Sequence, residues 1–193
     1  MFLTEIRLPA GTVRNPYDAH RALWTFFLQN PDKGRAFLYR TDWPGHSAPA
    51  CVLVQSAICP QEDDRTIGGV VRGPKEFHPH FVGGQALRFA LRANPIKRLS
   101  AERCRVPLVR HEDLLAWLAR KLVGAAEILD ADVVGNCALY FRKRGKVGKI
   151  ATVTFTGILE VTDPDRFSDT LAAGIGPAKG FGCGLLSVAP LRA

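Results

Sequence analysis

No window of this 193-residue chain reaches the ~18 uninterrupted apolar residues that a membrane-spanning helix needs. The N-terminal run MFLTEIRLPA holds Glu5 and Arg7 within its apolar residues, which excludes a secretory signal. There is no C-x-x-C pair. The five cysteines (Cys51, Cys59, Cys104, Cys137 and Cys183) are scattered and odd in number, and read as reduced thiols of a cytoplasmic protein, mostly buried as small apolar side chains. No low-complexity tract argues for disorder, and a hydrophobic content of 47% supplies core for one large domain or two small ones. His78-Pro79-His80 has no carboxylate cluster beside it and no cysteine at ligand spacing, so no metal is expected. No Ser/His/Asp or Cys/His arrangement stands out, and no paired carboxylates lie in a stretch that reads as a cleft.

What the chain has is positive charge in two places. Gln85 to Lys121 carries nine Lys/Arg against three acids, and Arg142 to Lys149 carries five with no acid. The net charge is +8, so the rest of the chain is mildly acidic. Charge concentrated in this way suggests a localised surface for a polyanion.

The chain also has glycine in one place. Leu171 to Ser187 reads LAAGIGPAKGFGCGLLS, with Gly174, Gly176, Gly180, Gly182 and Gly184 around Lys179. Such a run supplies positive φ or lets a backbone approach something closely, and exposed N–H groups with one ammonium suit a phosphate. A tight helix-to-strand turn without a ligand explains it equally well. Two nucleotide motifs fail. A Walker loop needs Ser or Thr after Gly-Lys, but Lys179 lies between Ala178 and Gly180. The dinucleotide fingerprint needs glycine where Lys179 stands. The run also closes a helix instead of opening one. No cofactor is expected.

Phe2 to Leu8 alternates as a half-buried strand. Asn15-Pro16 starts a helix to about Leu28, with Ala19, Leu23, Phe26 and Phe27 on its core face. Arg35 to Arg40 and Ala50 to Ala57 read as strands, Cys59 to Pro79 as a long loop holding a short helix or edge strand, and Ala86 to Ala93 as a strand. Asn94-Pro95 marks a boundary. Beyond it come a strand near Arg103 to Val109, a helix His111 to Leu122 and strands at Glu127 to Val134, Ala138 to Arg142 and Lys149 to Val161. A helix from Asp163-Pro164 to Ala173 and a strand Leu185 to Ala189 complete the chain. This order predicts an α+β fold of two tandem ferredoxin-like βαββαβ units, residues 1–94 and 95–193. Arg142 to Lys149 is expected to form the tip and second arm of a β-hairpin, turned by Gly145 and Gly148.

His20 lies at the edge of the first helix's core face, with Tyr17 at i−3, Trp24 at i+4 and Arg21 adjacent. Imidazole titrates near neutral pH and serves as general base or general acid, whereas most such histidines are simply hydrogen-bonded in a helix.

The segments Asn15-Pro16-Tyr17-Asp18-Ala19-His20-Arg21-Ala22-Leu23-Trp24, Arg92-Ala93-Asn94-Pro95-Ile96-Lys97, Ala116 to Leu122, Gly148-Lys149-Ile150 and the glycine run resemble the CasE family of CRISPR-associated endoribonucleases, components of the Cascade complex. These matches span nearly the whole chain. The resemblance implies a ferredoxin-like pair of units and metal-independent cleavage of a CRISPR repeat hairpin at the 3′ base of its stem. The RNA's own 2′-hydroxyl would attack, leaving a 2′,3′-cyclic phosphate and a 5′-hydroxyl. It implies RNA and other Cascade subunits as partners, and no membrane. His20 would act as general base or acid, Tyr17 would complete the site, and Lys149 would stabilise the phosphorane, with Lys146 the alternative. Arg21, Arg103, Arg105, Arg110, Arg120, Lys121, Arg142, Lys143, Arg144, Lys146 and Lys179 would bind RNA. A non-catalytic RNA-binding subunit of the same complex would carry the same fold and basic face.

Overall fold

A computed structural model describes residues 1–28, 36–41, 48–99, 104–143 and 146–191. Its contacts divide the chain into two units. The first comprises Met1–His78, Leu139–Lys149 and Lys179–Gly182, and the second Pro79–Ala138, Ile150–Ala178 and Cys183–Ala193.

In the first unit β1 (Phe2–Leu8), β2 (Phe37–Thr41), β3 (Ala50–Ser56) and β4 (Gly69–Glu76) form an antiparallel sheet in the order β2-β3-β1-β4. Helix α1 (Pro16–Trp24), extended by a 3-10 turn Thr25–Phe27, connects β1 to β2. Every second residue of β1 from Thr4 to Leu8 is buried, as its alternation requires. Ile6 and Leu8 join Ala19, Leu23, Phe26, Phe27, Phe37, Val52 and Val54 in one core. Each fully buried large side chain of this kind contributes about 1.5–3 kcal/mol of transfer free energy.

The second sheet runs β10-β5-β9-β8, from β5 (Ala86–Ala93), β8 (Ala126–Lys143), β9 (Lys146–Val161) and β10 (Leu186–Pro190). Helices α2 (His111–Leu122) and α3 (Pro164–Ala173) supply the two crossovers. Leu114, Trp117, Leu118, Phe155, Phe167 and Leu171 are all buried. A separate ribbon pairs β6 (Ile96–Leu99) with β7 (Cys104–Pro107). Read by chain order within each set, both four-stranded sheets have the first strand between the third and the fourth, and the second strand at the edge beyond the third. That is the expected pair of α+β ferredoxin-like sheets.

The fourth strand of the first sheet is β4, the edge strand allowed within Cys59 to Pro79, and among the described residues no helix lies between β3 and β4. Three expectations differ from the structure. The strand Ala86–Ala93 pairs with β9 and β10, so it opens the second sheet instead of closing the first. The contacts therefore do not divide at a single point between residues 94 and 95. Finally, Glu127 to Arg142 is one continuous strand and not two.

Candidate active site

Helix α1 starts where its sequence dictates. The Asn15 side chain accepts from the Tyr17 N–H at 2.9 Å, its amide donates to Asp18 at 2.8 Å, and Pro16 takes the first helical position. Starting there places Tyr17 and His20 one turn apart on the same side, with ring centroids 6.4 Å from each other. The half-buried His20 ring lies among aromatics from two elements. Trp24 is 6.1 Å away at an interplanar angle of 81°, Phe37 is at 5.8 Å, and Tyr39 is near-parallel at 6.5 Å. The indole N–H of Trp24 donates to His20 Nε2 at 3.1 Å.

The glycine run meets this nest from the far end of the chain. The Tyr39 hydroxyl lies 3.0 Å from the Pro16 carbonyl and 3.0 Å from the Gly180 carbonyl, tying the start of α1 to residue 180. Gly182 has φ +78°, and a Cβ there would stand 3.2 Å from the Tyr39 ring, so glycine meets both a left-handed backbone and a close approach. Phe181 lies 6.5 Å from Tyr17 and 4.6 Å from Phe141 of β8. A line of rings thus runs from His20 through Tyr17 and Phe181 to the β8–β9 hairpin.

On that hairpin Lys149 has its ammonium 5.6 Å from the centroid of Tyr140, which is 61% exposed. Neighbouring strand residues point to opposite faces. Lys149 therefore shares the face of Tyr140, whereas Phe141 and Gly148 occupy the face that joins the ring line. Gly148 is explained by this packing: a Cβ there would run into the Phe141 ring. It lies inside β9, not in the turn for which the sequence suggested it. The strands end at Lys143 and resume at Lys146, with Arg144 and Gly145 outside the described residues. Arg142, Lys143 and Lys146 lie in the strands themselves.

The other predicted cations are dispersed. Arg21 is exposed on α1, and Lys179 opens the 3-10 turn Lys179–Phe181. In the second unit Arg105 is exposed on β7, Arg110 is exposed at the residue before α2, and Arg120 and Lys121 are exposed in the last turn of α2. Arg103 lies outside the described residues. Sequence reasoning missed Arg98, which is exposed and directly opposite Arg105 in the β6–β7 ribbon. Like charges directly across a strand pair repel. The signal was weak, since strand pairing cannot be read from Lys97-Arg98 alone. Tyr39 and Phe181 were also missed. Their contacts join residues far apart in the chain, and no local pattern marks them.

Gly174, Gly176, Gly182 and Gly184 all have positive φ, while Gly180 contributes the carbonyl that Tyr39 meets. The run therefore has a backbone explanation before any ligand is invoked. The cysteines depart from expectation: Cys51 and Cys137 are exposed, Cys59 and Cys104 are intermediate, and Cys183 alone is buried. Burial pushes the Cys183 thiol up from 9.0 to about 12, with Arg92 opposing the shift. Among the described residues no group of three or more His, Cys, Asp or Glu is placed to hold a metal ion, and no helix is long and apolar enough to cross a membrane.

The strand orders of the two sheets define an α+β protein of the tandem ferredoxin-like class. The family described as "CRISPR associated protein" matches residues 1–190. The chain is 38% identical to the CRISPR system Cascade subunit CasE of Escherichia coli K12, covering 99% of this chain and all of that one. It is also 38% identical to the CRISPR-associated endoribonuclease Cse3 of Thermus thermophilus, over 98% of this chain and 100% of the relative. A solved structure of the CRISPR endoribonuclease Cse3 bound to 19-nucleotide RNA superposes with a TM-score of 0.85 at 37% identity, covering 98% of this chain and 100% of that one. The chain belongs to the CRISPR-associated CasE/Cse3 family.

Proposed function

We propose that this protein is a metal-independent endoribonuclease of the cytoplasm. It binds the stem-loop of a CRISPR repeat, cuts the precursor RNA at the 3′ base of the stem, and stays bound within Cascade. The observation that carries the reading is full-length identity of 38% to a named CRISPR endoribonuclease. The Tyr17–His20 pair gives it a chemical centre.

The nucleophile belongs to the RNA, so the protein has three tasks: to position the 2′-hydroxyl in line with the scissile phosphate, to move two protons, and to stabilise charge on the phosphorane. His20 and Tyr17 divide the proton transfers, for which a positioned side chain is worth typically ~10²–10⁴-fold. Lys149 supplies the cation for the phosphorane. Its ammonium lies 5.6 Å from the Tyr140 centroid, on the hairpin face opposite Phe141, so this role rests on the family resemblance of Gly148-Lys149-Ile150. The products are a 2′,3′-cyclic phosphate and a 5′-hydroxyl.

Affinity comes from the surface cations. The A-form major groove is too narrow for ordinary base readout, so a hairpin stem is gripped through phosphates and shape. Arg142, Lys143 and Lys146 in β8 and β9 serve this, together with Arg144, Arg21, Lys179, Arg103, Arg105, Arg110, Arg120 and Lys121. The opposed pair Arg98 and Arg105 supports a phosphate partner for the ribbon. Incubating repeat RNA with the protein in EDTA tests the proposal. Cutting at the stem base supports it, and tight binding without cutting would make the protein the complex's binding subunit.

A further inference from the structure

His20 has two ring nitrogens, and the structure distinguishes them. Trp24 stands one turn further along α1, with its Nε1 3.1 Å from His20 Nε2 and the two rings at 81°. Indole N–H is a donor and never an acceptor, so Nε2 must offer its lone pair. A neutral imidazole that accepts at Nε2 carries its proton on Nδ1. Trp24 is itself held by Phe37, whose ring meets it edge-on at 5.4 Å and 73°. Tyr39 lies near-parallel to the imidazole, at 21°. Turning the imidazole over would replace Nε2 with carbon and remove the hydrogen bond.

We infer that Trp24 is a positioning residue for His20: its indole fixes the Nδ1–H tautomer and thereby makes Nε2 the nitrogen that takes the proton of the RNA 2′-hydroxyl. The contact exists only with the neutral ring, because an imidazolium would set N–H against N–H. The indole must therefore give way to the 2′-hydroxyl as the hairpin seats. The 2′ O–H bond then breaks as an N–H bond forms at Nε2, and the 2′-oxygen closes on phosphorus. The P–O5′ bond breaks, and the departing oxygen takes its proton from the Tyr17 phenol, which the imidazolium re-protonates. Trp24 makes none of these bonds. It decides which nitrogen is ready to make one.

This inference rests on His20 being the base, but the tautomer itself is read without RNA. The full-length protein, carrying ring-15N histidine, is observed by long-range 1H–15N correlation, with His20 assigned by its loss in His20→Ala. The expected result is a bare Nε2 and a protonated Nδ1 in the wild type, moving toward the Nε2–H form in Trp24→Phe, which keeps an aromatic ring and removes the donor. In the same variant the saturating single-turnover rate on repeat hairpin RNA should fall on the order of tenfold or more, the direction seen when an orienting partner of a catalytic histidine is removed, with hairpin affinity retained. An Nε2–H tautomer in the wild type overturns the inference even if Trp24→Phe fails to fold. So does a tautomer unchanged by Trp24→Phe. A shifted tautomer with an unchanged rate overturns Nε2 as the working nitrogen. Normal cutting by His20→Ala would instead sink the catalytic reading and leave the tautomer result standing.

Discussion

The two ferredoxin-like sheets share a strand order but not a set of helices. The sheet β10-β5-β9-β8 has a helix in each crossover, α2 and α3. The sheet β2-β3-β1-β4 has α1 in one crossover, and no helix among the described residues in the other. Their side chains are spent differently as well. The first unit gathers Tyr17, Trp24, Phe37 and Tyr39 around the His20 imidazole, while the second exposes Arg98, Arg105, Arg110, Arg120 and Lys121. The first unit thus holds the aromatic nest and the second exposes these five cations, while the basic stretch within Leu139–Lys149 groups by its contacts with the first unit. Strand order fixes where cores can form; the side chains grafted onto it decide the task.

Four experiments break or sharpen this contrast, the strongest effect first. His20→Ala in the first unit should lower the saturating single-turnover rate by roughly 10²–10⁴-fold while hairpin affinity stays within a few-fold. A wild-type rate in the purified variant would leave the nest without a catalytic role. Replacing Arg142, Lys143, Arg144 and Lys146 together by alanine should do the opposite. Binding should weaken, with the logarithmic salt slope falling by roughly 0.7–0.9 for each phosphate no longer neutralised, and the saturating rate should be nearly intact. Lys149→Ala is the sharper arm, because it should lower that rate more than the affinity. A drop in affinity alone would assign Lys149, which shares a face with Tyr140, to binding.

Gly182→Ala tests the join between the glycine run and the nest. A left-handed φ costs a non-glycine residue about 1–2 kcal/mol, and the new Cβ would press on Tyr39, so both stability in denaturant and cleavage should fall. Unchanged unfolding would mean that Tyr39 gives way without cost. The smallest effect concerns Cys183. At neutral pH an alkylating agent should modify Cys51 and Cys137 quickly and Cys183 only on unfolding, since the thiol is held up to about 12. Between 9.0 and about 12 the unfolded thiol ionises while the folded one does not, so this group withdraws stability as pH rises through that window. Rapid labelling of three native cysteines that include Cys183 would contradict its burial.

Much of the fold was legible because burial leaves a period in the sequence. The start of α3 follows from Asp163-Pro164, and both helices show in the spacing of the apolar positions Leu114, Trp117, Leu118, Phe167 and Leu171. Strand β4 left no such trace. Val71 to Glu76 is exposed throughout, Gly73 and Pro74 interrupt the run, and the strand is held by pairing with β1 instead of by a buried face. Alternation also says that Ala86–Ala93 is a strand without saying which sheet it joins, and so it was placed with the wrong neighbours. At the site, Tyr17, His20 and Trp24 were visible as helix neighbours three and four apart. The Tyr39–Gly180 contact was not, because its partners lie 141 residues apart. Gly148 looked like a turn residue because the Phe141 ring that requires a glycine there lies across the hairpin.

The most direct test of the account is the chemistry of the cut ends. Repeat hairpin RNA is incubated with the wild-type protein in excess EDTA, and the termini of both fragments are identified. Attack by the RNA's own 2′-hydroxyl, with protons moved by His20 and Tyr17, predicts a 2′,3′-cyclic phosphate on one fragment and a 5′-hydroxyl on the other. A 3′-hydroxyl with a 5′-phosphate, or cutting that stops in EDTA and returns with Mg²⁺, would mean that metal-activated water attacks, and the nest around His20 would not be the catalytic centre.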